Sequence, residues 1–236
     1  MNRTLLVLTL AACMAQTGAP IVVLLGGIIG AELAPSPGLA TLPVALMILG
    51  TAASTIPASF IMRRFGRRKG FLFAASYAVV AGLLGAFAIQ TAAFWLLCIA
   101  TFLIGSHNAF VQQYRFAVAE SVPAARLGRS LSVLMLAGVV AAYLGPKTAT
   151  LLQGLVPGAV YAGSFLGLSV LMAGAGTVLS FYVPDQRETE VGGQGGRSLW
   201  QIAQQLDFKI AIVASVSAWS IMSLLMTATP VAMHHL

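Results

Sequence analysis

The sequence predicts an all-α polytopic membrane protein, and two observations carry this prediction. Of its 236 residues, 58% are hydrophobic and only 8% are charged, against about 25% charged residues in an ordinary soluble domain. Seven apolar stretches are each long enough to supply the roughly 20 residues that a helix needs to cross the hydrocarbon core. These stretches lack the two-residue alternation of a membrane β-barrel, so we expect helices, which satisfy their own backbone hydrogen bonds in lipid.

Polar or turn-forming residues separate the predicted spans. Pro35 and Gly38 follow the first span, and the basic run Arg63–Lys69 ends the second. The one long hydrophilic stretch, 184–207, precedes the last span and is expected to hold a short interfacial helix around Trp200. In chain order, the predicted spans are Thr4–Gly30, Leu39–Met62, Gly70–Gln90, Ala92–Ala117, Ser130–Leu155, Gly158–Val183 and Phe208–Pro230.

The placement of Lys and Arg predicts the orientation. With the N-terminus in the cytoplasm, 11 of the 13 basic residues lie on the cytoplasmic side, and the other two, Arg115 and Lys147, fall within spans. The C-terminus is then external. The net charge of +7 is therefore a topology signal, and we expect no nucleic-acid partner. The expected location is the bacterial cytoplasmic (inner) membrane, with the lipid bilayer as the first partner.

The N-terminus has a second interpretation. Met1-Asn2-Arg3 followed by a short apolar run resembles the start of a secretory signal peptide. The apolar run continues to Gly30, which is long enough to span, and this favours an uncleaved first helix. Cys13 and Cys98 both fall within spans, so no disulfide framework is implied.

The loop between the second and third spans carries a motif. It resembles the loop motif of the major facilitator superfamily of secondary transporters, which runs Gly, three residues, Asp, Arg, any residue, Gly, Arg, then Arg or Lys twice. Ser59 replaces the glycine and Arg63 replaces the aspartate, which in the family helps to lock a closed state. A merely basic cytoplasmic loop is the alternative. The matching residues, to which the resemblance assigns conformational gating, are Arg64, Gly66, Arg67, Arg68 and Lys69.

The resemblance also implies a fold. It predicts a six-helix N-terminal bundle built from two inverted three-helix repeats, followed by a seventh transmembrane helix. The expected domains are the bundle at 1–183, a cytoplasmic linker at 184–207, and the seventh helix with the C-terminus at 208–236. Gly145-Pro146 in the fifth span resembles the glycine-proline motif of antiporters in the family, although a plain kink is the better explanation of the pair.

Polar residues inside the fourth span are the main site candidates, because polar groups within the membrane are costly. At 100° per residue, His107, Asn108, Gln112 and Arg115 fall within an arc of about 140°. They form either a substrate- or proton-interacting face or a set of interhelical hydrogen bonds, with Arg115 snorkelling to the interface. His107 titrates near neutrality and is the candidate for proton coupling.

Two other spans contribute candidates. Lys147 and Tyr143 share a face of the fifth span, and a buried lysine requires an acceptor, a counter-ion or an anionic ligand. In the first span, Gln16 and Thr17 are candidates because spans one and four line the cavity in the family. Close helix packing is the alternative there.

The predicted function is transport of a small solute of unknown identity by alternating access, with or without proton coupling. Phosphate-loop, zinc and hydrolase motifs do not occur in the sequence, so we expect neither an enzyme nor a cofactor or metal. In such a transporter each half has six spans. Seven spans are more than one half and fewer than two, so a partial chain is expected. The alternative is a non-transporting remnant that acts as a scaffold or partner subunit, or that pairs with a second half or with itself.

Overall fold

The structure, a computed structural model, describes residues 3–183 and 204–234, with side chains as far as residue 221 in the second range. Within these ranges the chain is helical between short connections and has no strand, which confirms the all-α class. The chain divides into two compact units, Met1–Gly192 and Gly193–Leu236. The predicted interfacial helix around Trp200 lies outside the described residues.

The described residues form nine α-helices, with short 3-10 turns at Pro37–Leu39 and Ala124–Arg126. The first eight helices belong to the first unit and the ninth to the second. They are α1 (Arg3–Ala15), α2 (Gly18–Leu33), α3 (Leu42–Phe65), α4 (Arg67–Gln90), α5 (Phe94–Val111), α6 (Tyr114–Ser121), α7 (Leu127–Leu151), α8 (Ala162–Ser180) and α9 (Leu206–His234).

Six segments of the first unit are long and apolar enough to cross a membrane. They agree with the first six predicted spans to within six residues at either end, and α9 covers the seventh. The six segments are Arg3–Leu33, Pro37–Phe65, Arg67–Gln90, Phe94–Ser121, Ala124–Leu151 and Ala162–Ser180.

In two of these segments a two-residue turn separates two α-helices. In the first, Pro20 has no backbone N–H for the carbonyl of Gln16, so the regular ladder cannot continue through this point. Thr17 N bonds instead to Met14 O at 3.1 Å, and α1 gives way to α2. The fourth segment breaks between α5 and α6, where Gln113 N turns back to the Phe110 carbonyl at 3.0 Å.

Helices α3 and α5 pack backbone against backbone. A side chain at Gly50 would collide with the Phe102 carbonyl, and one at Gly105 would collide with the Met47 carbonyl. Thr51 Oγ1 donates to the Gly105 carbonyl at 2.9 Å. This close approach fixes α5, which carries several of the predicted polar residues, against its neighbour.

The core of the first unit forms two clusters of buried side chains. One gathers around Leu8, Phe71 and Tyr114, and the other around Ile21 and Phe165. Both draw on residues of the first segment, so α1 and α2 line the middle of the bundle. Residues exposed between these buried faces are available for contact with lipid.

Candidate functional site

A cavity of about 500 Å³ lies between α1, α5, α6 and α7. Its polar lining comes from Gln16 at the first helix break, Asn108 on α5, Gln112 at the second break and Arg115 on α6. The other lining residues, mostly apolar, are Val111, Tyr114, Phe116, Ala119, Leu131, Leu134 and Met135. The structure thus brings four of the predicted site residues around one space.

The local chain geometry explains this convergence. Asn108 and Gln112 are four residues apart, so they lie on the same face at the end of α5. Gln16 is directed towards α7, since a Cβ added at Gly138 would lie 3.1 Å from its Oε1 atom. The small residue on α7 therefore leaves room for the amide at the first break.

Arg115 is held across the second break by the residue that ends α5. Its Nε donates to the Gln112 carbonyl at 3.1 Å, and its Nη2 donates to Gln112 Oε1. The helical donor for that carbonyl would be Phe116 N, which bonds to Gln113 O instead. The guanidinium thus takes the place of a missing backbone hydrogen bond while it remains exposed beside the cavity.

Four predicted candidates do not line this cavity. Thr17 is fully buried and its hydroxyl donates to Met14 O at 2.6 Å. His107 is only 2% exposed and its ring packs edge-on to Tyr77, with centroids 6.4 Å apart. Tyr143 is 67% exposed on α7. Lys147 is also exposed. It lies four residues before α7 ends at Leu151, nearer the helix end than the predicted span implies.

Hydroxyl groups form a second polar cluster on the other side of α5. Ser54 Oγ donates to Ser106 Oγ at 2.8 Å, and Tyr77 OH lies 3.2 Å from the same oxygen. With His107 beside Tyr77, this cluster joins α3, α4 and α5. Sequence reasoning missed Tyr77, because no periodic polar pattern surrounds it on α4.

The loop between α3 and α4, which carries the motif, makes specific contacts. Gly66 has a φ of +84°, a conformation that glycine adopts freely, and it joins α3 directly to α4. Arg67 Nε donates to Glu120 Oε2 at 3.0 Å, and its Nη2 donates to Oε1 at 2.5 Å. Arg68 Nη2 donates to the Ser180 carbonyl at 2.7 Å, at the end of α8.

The other positions of the motif are exposed or bound locally. Arg63, Arg64 and Lys69 are exposed. Ser59, at the position of the family's glycine, accepts a hydrogen bond from Gln113 Nε2 at 3.0 Å. The α3–α4 hairpin is thus joined to both ends of α6, through Gln113 before it and Glu120 within it.

The predicted kink residues lie where α7 passes the first break. Pro146 is inside α7, and Gly145 is buried. A Cβ added at Gly145 would lie 3.0 Å from Pro20 Cβ and 3.2 Å from the Thr17 carbonyl. The pair therefore permits close packing of α7 against the start of α2.

Sequence reasoning also missed the apolar wall and the partner of Arg67. Leu131, Leu134 and Met135 share one face of α7 at helical spacing, a signal common to any packed helix. Glu120 is 53 residues from Arg67 in sequence, and nothing local indicates their pairing. Among the described side chains, those of residues 3–183 and 204–221, no three His, Cys, Asp or Glu are placed to hold a metal ion.

Known proteins resemble this chain over its whole length. The family model of the Major Facilitator Superfamily matches residues 5–236. The riboflavin transporter RfnT of Brucella anthropi is 36% identical over 234 residues, which cover 98% of this chain and 59% of that protein. YdeG of Bacillus subtilis, an uncharacterised transporter of the same family, is 26% identical over 254 residues, covering 99% of this chain and 58% of that protein.

The chain thus spans less than two thirds of the length of these relatives. Its six apolar segments have the lengths and composition of membrane spans, and its loop matches most of the family's gating motif. Together with the family match along residues 5–236, these features establish that the chain is an integral membrane protein of the major facilitator superfamily of transporters.

Proposed function

We propose that this chain forms a substrate-binding half of a secondary transporter, which moves a small solute by alternating access around the Gln16–Arg115 cavity. The observation that carries the proposal is the coincidence of the cavity with both helix breaks. Substrate sites of such transporters typically lie at discontinuous helices near the middle of the membrane. Polar residues within spans also face cavities by preference.

The proposed substrate class is the flavins. A relative 36% identical to this chain is named as a riboflavin transporter. Riboflavin combines a flat aromatic ring system with an imide edge and a hydroxylated side chain. The apolar wall offers a surface for the rings, and the carboxamides of Gln16, Asn108 and Gln112 can both donate to and accept from amide-like edges.

The α3–α4 hairpin is the proposed gating element. Its contacts with Glu120 and Gln113 connect it to α6, which carries part of the cavity wall. Motion of α6 about the break after Val111 would then alter the cavity and the hairpin together. The predicted orientation places this hairpin, with the N-terminus, at the cytoplasmic side.

Uptake of radiolabelled riboflavin into proteoliposomes that contain the full-length protein tests the proposal. Gln16→Leu removes a hydrogen-bonding group from the cavity, and a lost bond of about 1.4 kcal/mol corresponds to an approximately tenfold slower uptake. Gln90→Leu, at the exposed end of α4 and away from the cavity, is the matched control and should transport normally.

Equal uptake by the Gln16→Leu and Gln90→Leu proteins would remove Gln16 from the site. Uptake of another solute but not of riboflavin would reject the flavin class and keep the transporter. If the intact, membrane-inserted protein moves no solute in a broad screen, the non-transporting scaffold becomes the better account.

A further inference from the structure

We infer that the cavity selects its solute by charge: it admits neutral or anionic solutes and repels cations, and Arg115 is the residue that determines this selectivity. As a statement about substrate, the inference rests on the proposed function. The electrostatic potential of the cavity, however, can be measured without any substrate.

The charge inventory of the cavity is one-sided. Among the described residues that line it, the polar side chains are three neutral carboxamides, one phenol and the guanidinium of Arg115, and none is a carboxylate. A guanidinium keeps its positive charge at any pH that a protein experiences. The walls formed by these described residues therefore carry one permanent positive charge and no negative one.

The acidic residue nearest to Arg115 in the sequence cannot fully neutralise the charge of its guanidinium. Glu120 lies on α6, five residues beyond Arg115, but both of its carboxylate oxygens accept hydrogen bonds from Arg67. Within residues 3–183, the other acidic residue is Glu32, at the far end of α2. The single carboxylate near the cavity is thus paired with a cation from the loop.

The partners of Arg115 are also neutral. Its guanidinium bonds to the backbone carbonyl and the side-chain oxygen of Gln112. These bonds orient the group without cancelling its charge. Because apolar side chains form most of the surrounding wall, the low dielectric of the wall focuses the field of Arg115 into the cavity.

Such a cavity has a defined solute chemistry. An anionic group, or a neutral group rich in carbonyl oxygens, can bond to Arg115 and gain charge-assisted hydrogen bonds. A protonated amine or quaternary ammonium would enter against the field and find no carboxylate to pair with. We therefore expect the charge of residue 115 to determine which solutes enter the cavity.

Charged thiol reagents of matched size measure the potential directly. Ala119 lines the cavity one turn beyond Arg115, so Ala119→Cys is introduced into the full-length protein after Cys13→Ala and Cys98→Ala substitutions. The rates of modification by 2-sulfonatoethyl and 2-(trimethylammonio)ethyl methanethiosulfonate are then compared. The exposed Ser36→Cys site, outside the cavity, gives the intrinsic ratio of the two reagents.

We expect the ratio of the anionic to the cationic modification rate to be about sevenfold higher at Ala119→Cys than at Ser36→Cys. This value corresponds to a potential of about one kT per unit charge in the cavity. Arg115→Gln should abolish this preference and Arg115→Lys should keep it. Lys147→Gln removes a charge from the exposed end of α7 and should leave the ratio unchanged.

An equal or cation-favouring ratio at Ala119→Cys, or a preference that survives Arg115→Gln, overturns the inference. A reagent preference that behaves as expected in a protein that moves no solute would uphold the charged cavity and reject the proposed function. The two failures are therefore distinguishable. Size-exclusion profiles of each variant establish that the modification rates refer to folded protein.

Discussion

At the scale of single residues, the pair Arg67–Glu120 is a well-defined polar contact of the α3–α4 loop. Both side chains are partly buried, at 18% and 31% exposure, and the guanidinium contacts both carboxylate oxygens. Bidentate pairs of this kind are stronger than ordinary surface ion pairs. The pair is also the link between the motif and the cavity wall, because Glu120 and Arg115 belong to the same short helix.

We predict a measurable coupling energy between Arg67 and Glu120. In a double-mutant cycle of Arg67→Gln and Glu120→Gln, thermal unfolding should give a coupling of about 1 kcal/mol, since the residues are in direct contact. Lys69→Gln, at an exposed position in the same loop, should be additive with Glu120→Gln. An additive cycle for Arg67 would mean that the pair contributes nothing to the folded state.

Helical periodicity groups the candidate residues partly as the structure does, and the differences have physical reasons. Asn108, Gln112 and Arg115 were predicted because helical periodicity alone places them on one face. His107 shares the predicted arc, yet α3 and α4 pack against that part of α5 and bury it. Lys147 seemed deep because hydropathy extended its span to Leu155, whereas the helix ends at Leu151.

At the scale of helices, breaks and close contacts decide where the cavity lies. Periodicity located the six segments, but it could not show that two of them are discontinuous. Pro20 is visible in the sequence, yet membrane helices often tolerate proline because neighbouring groups satisfy the freed carbonyl. At the break after Gln112, Arg115 donates to the freed carbonyl, a contact that only the folded geometry reveals.

Close packing of α3 and α5 gives a prediction at this scale. Gly105→Ala should destabilise the protein by about 1–3 kcal/mol, because the added methyl group meets the Met47 carbonyl and the helices must separate. Gly27→Ala is the control, since a Cβ there meets nothing within 4 Å. Its unfolding temperature should stay the same or rise. Equal unfolding temperatures for the two variants would contradict this packing.

At the scale of the whole molecule, the proposed transport cycle allows coupling to a proton gradient. We propose His107 as the coupling residue, for it is the histidine within the six segments. Its contact with Tyr77, which reaches Ser106 and Ser54, places it among groups that can rearrange hydrogen bonds when its charge changes.

We predict that an inward proton gradient accelerates solute uptake by the wild-type protein and that His107→Gln removes this acceleration while leaving exchange at equal pH. Uptake with and without an ionophore that collapses the gradient provides the measurement. Wild-type uptake that does not respond to the ionophore would exclude proton coupling. A normal response of His107→Gln would move the coupling role to another residue.

The position of α6 has a thermodynamic consequence for the transporter. This eight-residue helix holds Arg115 at the cavity and Glu120 at the hairpin, so it belongs to both sites at once. A solute that binds one arrangement of α6 more tightly must favour the hairpin contacts of that arrangement. By linkage, those contacts change the affinity for the solute by the same free energy. In the proposed transporter, linkage of this kind would make the hairpin a reciprocal effector site, and a substitution there would change solute affinity without contacting the solute.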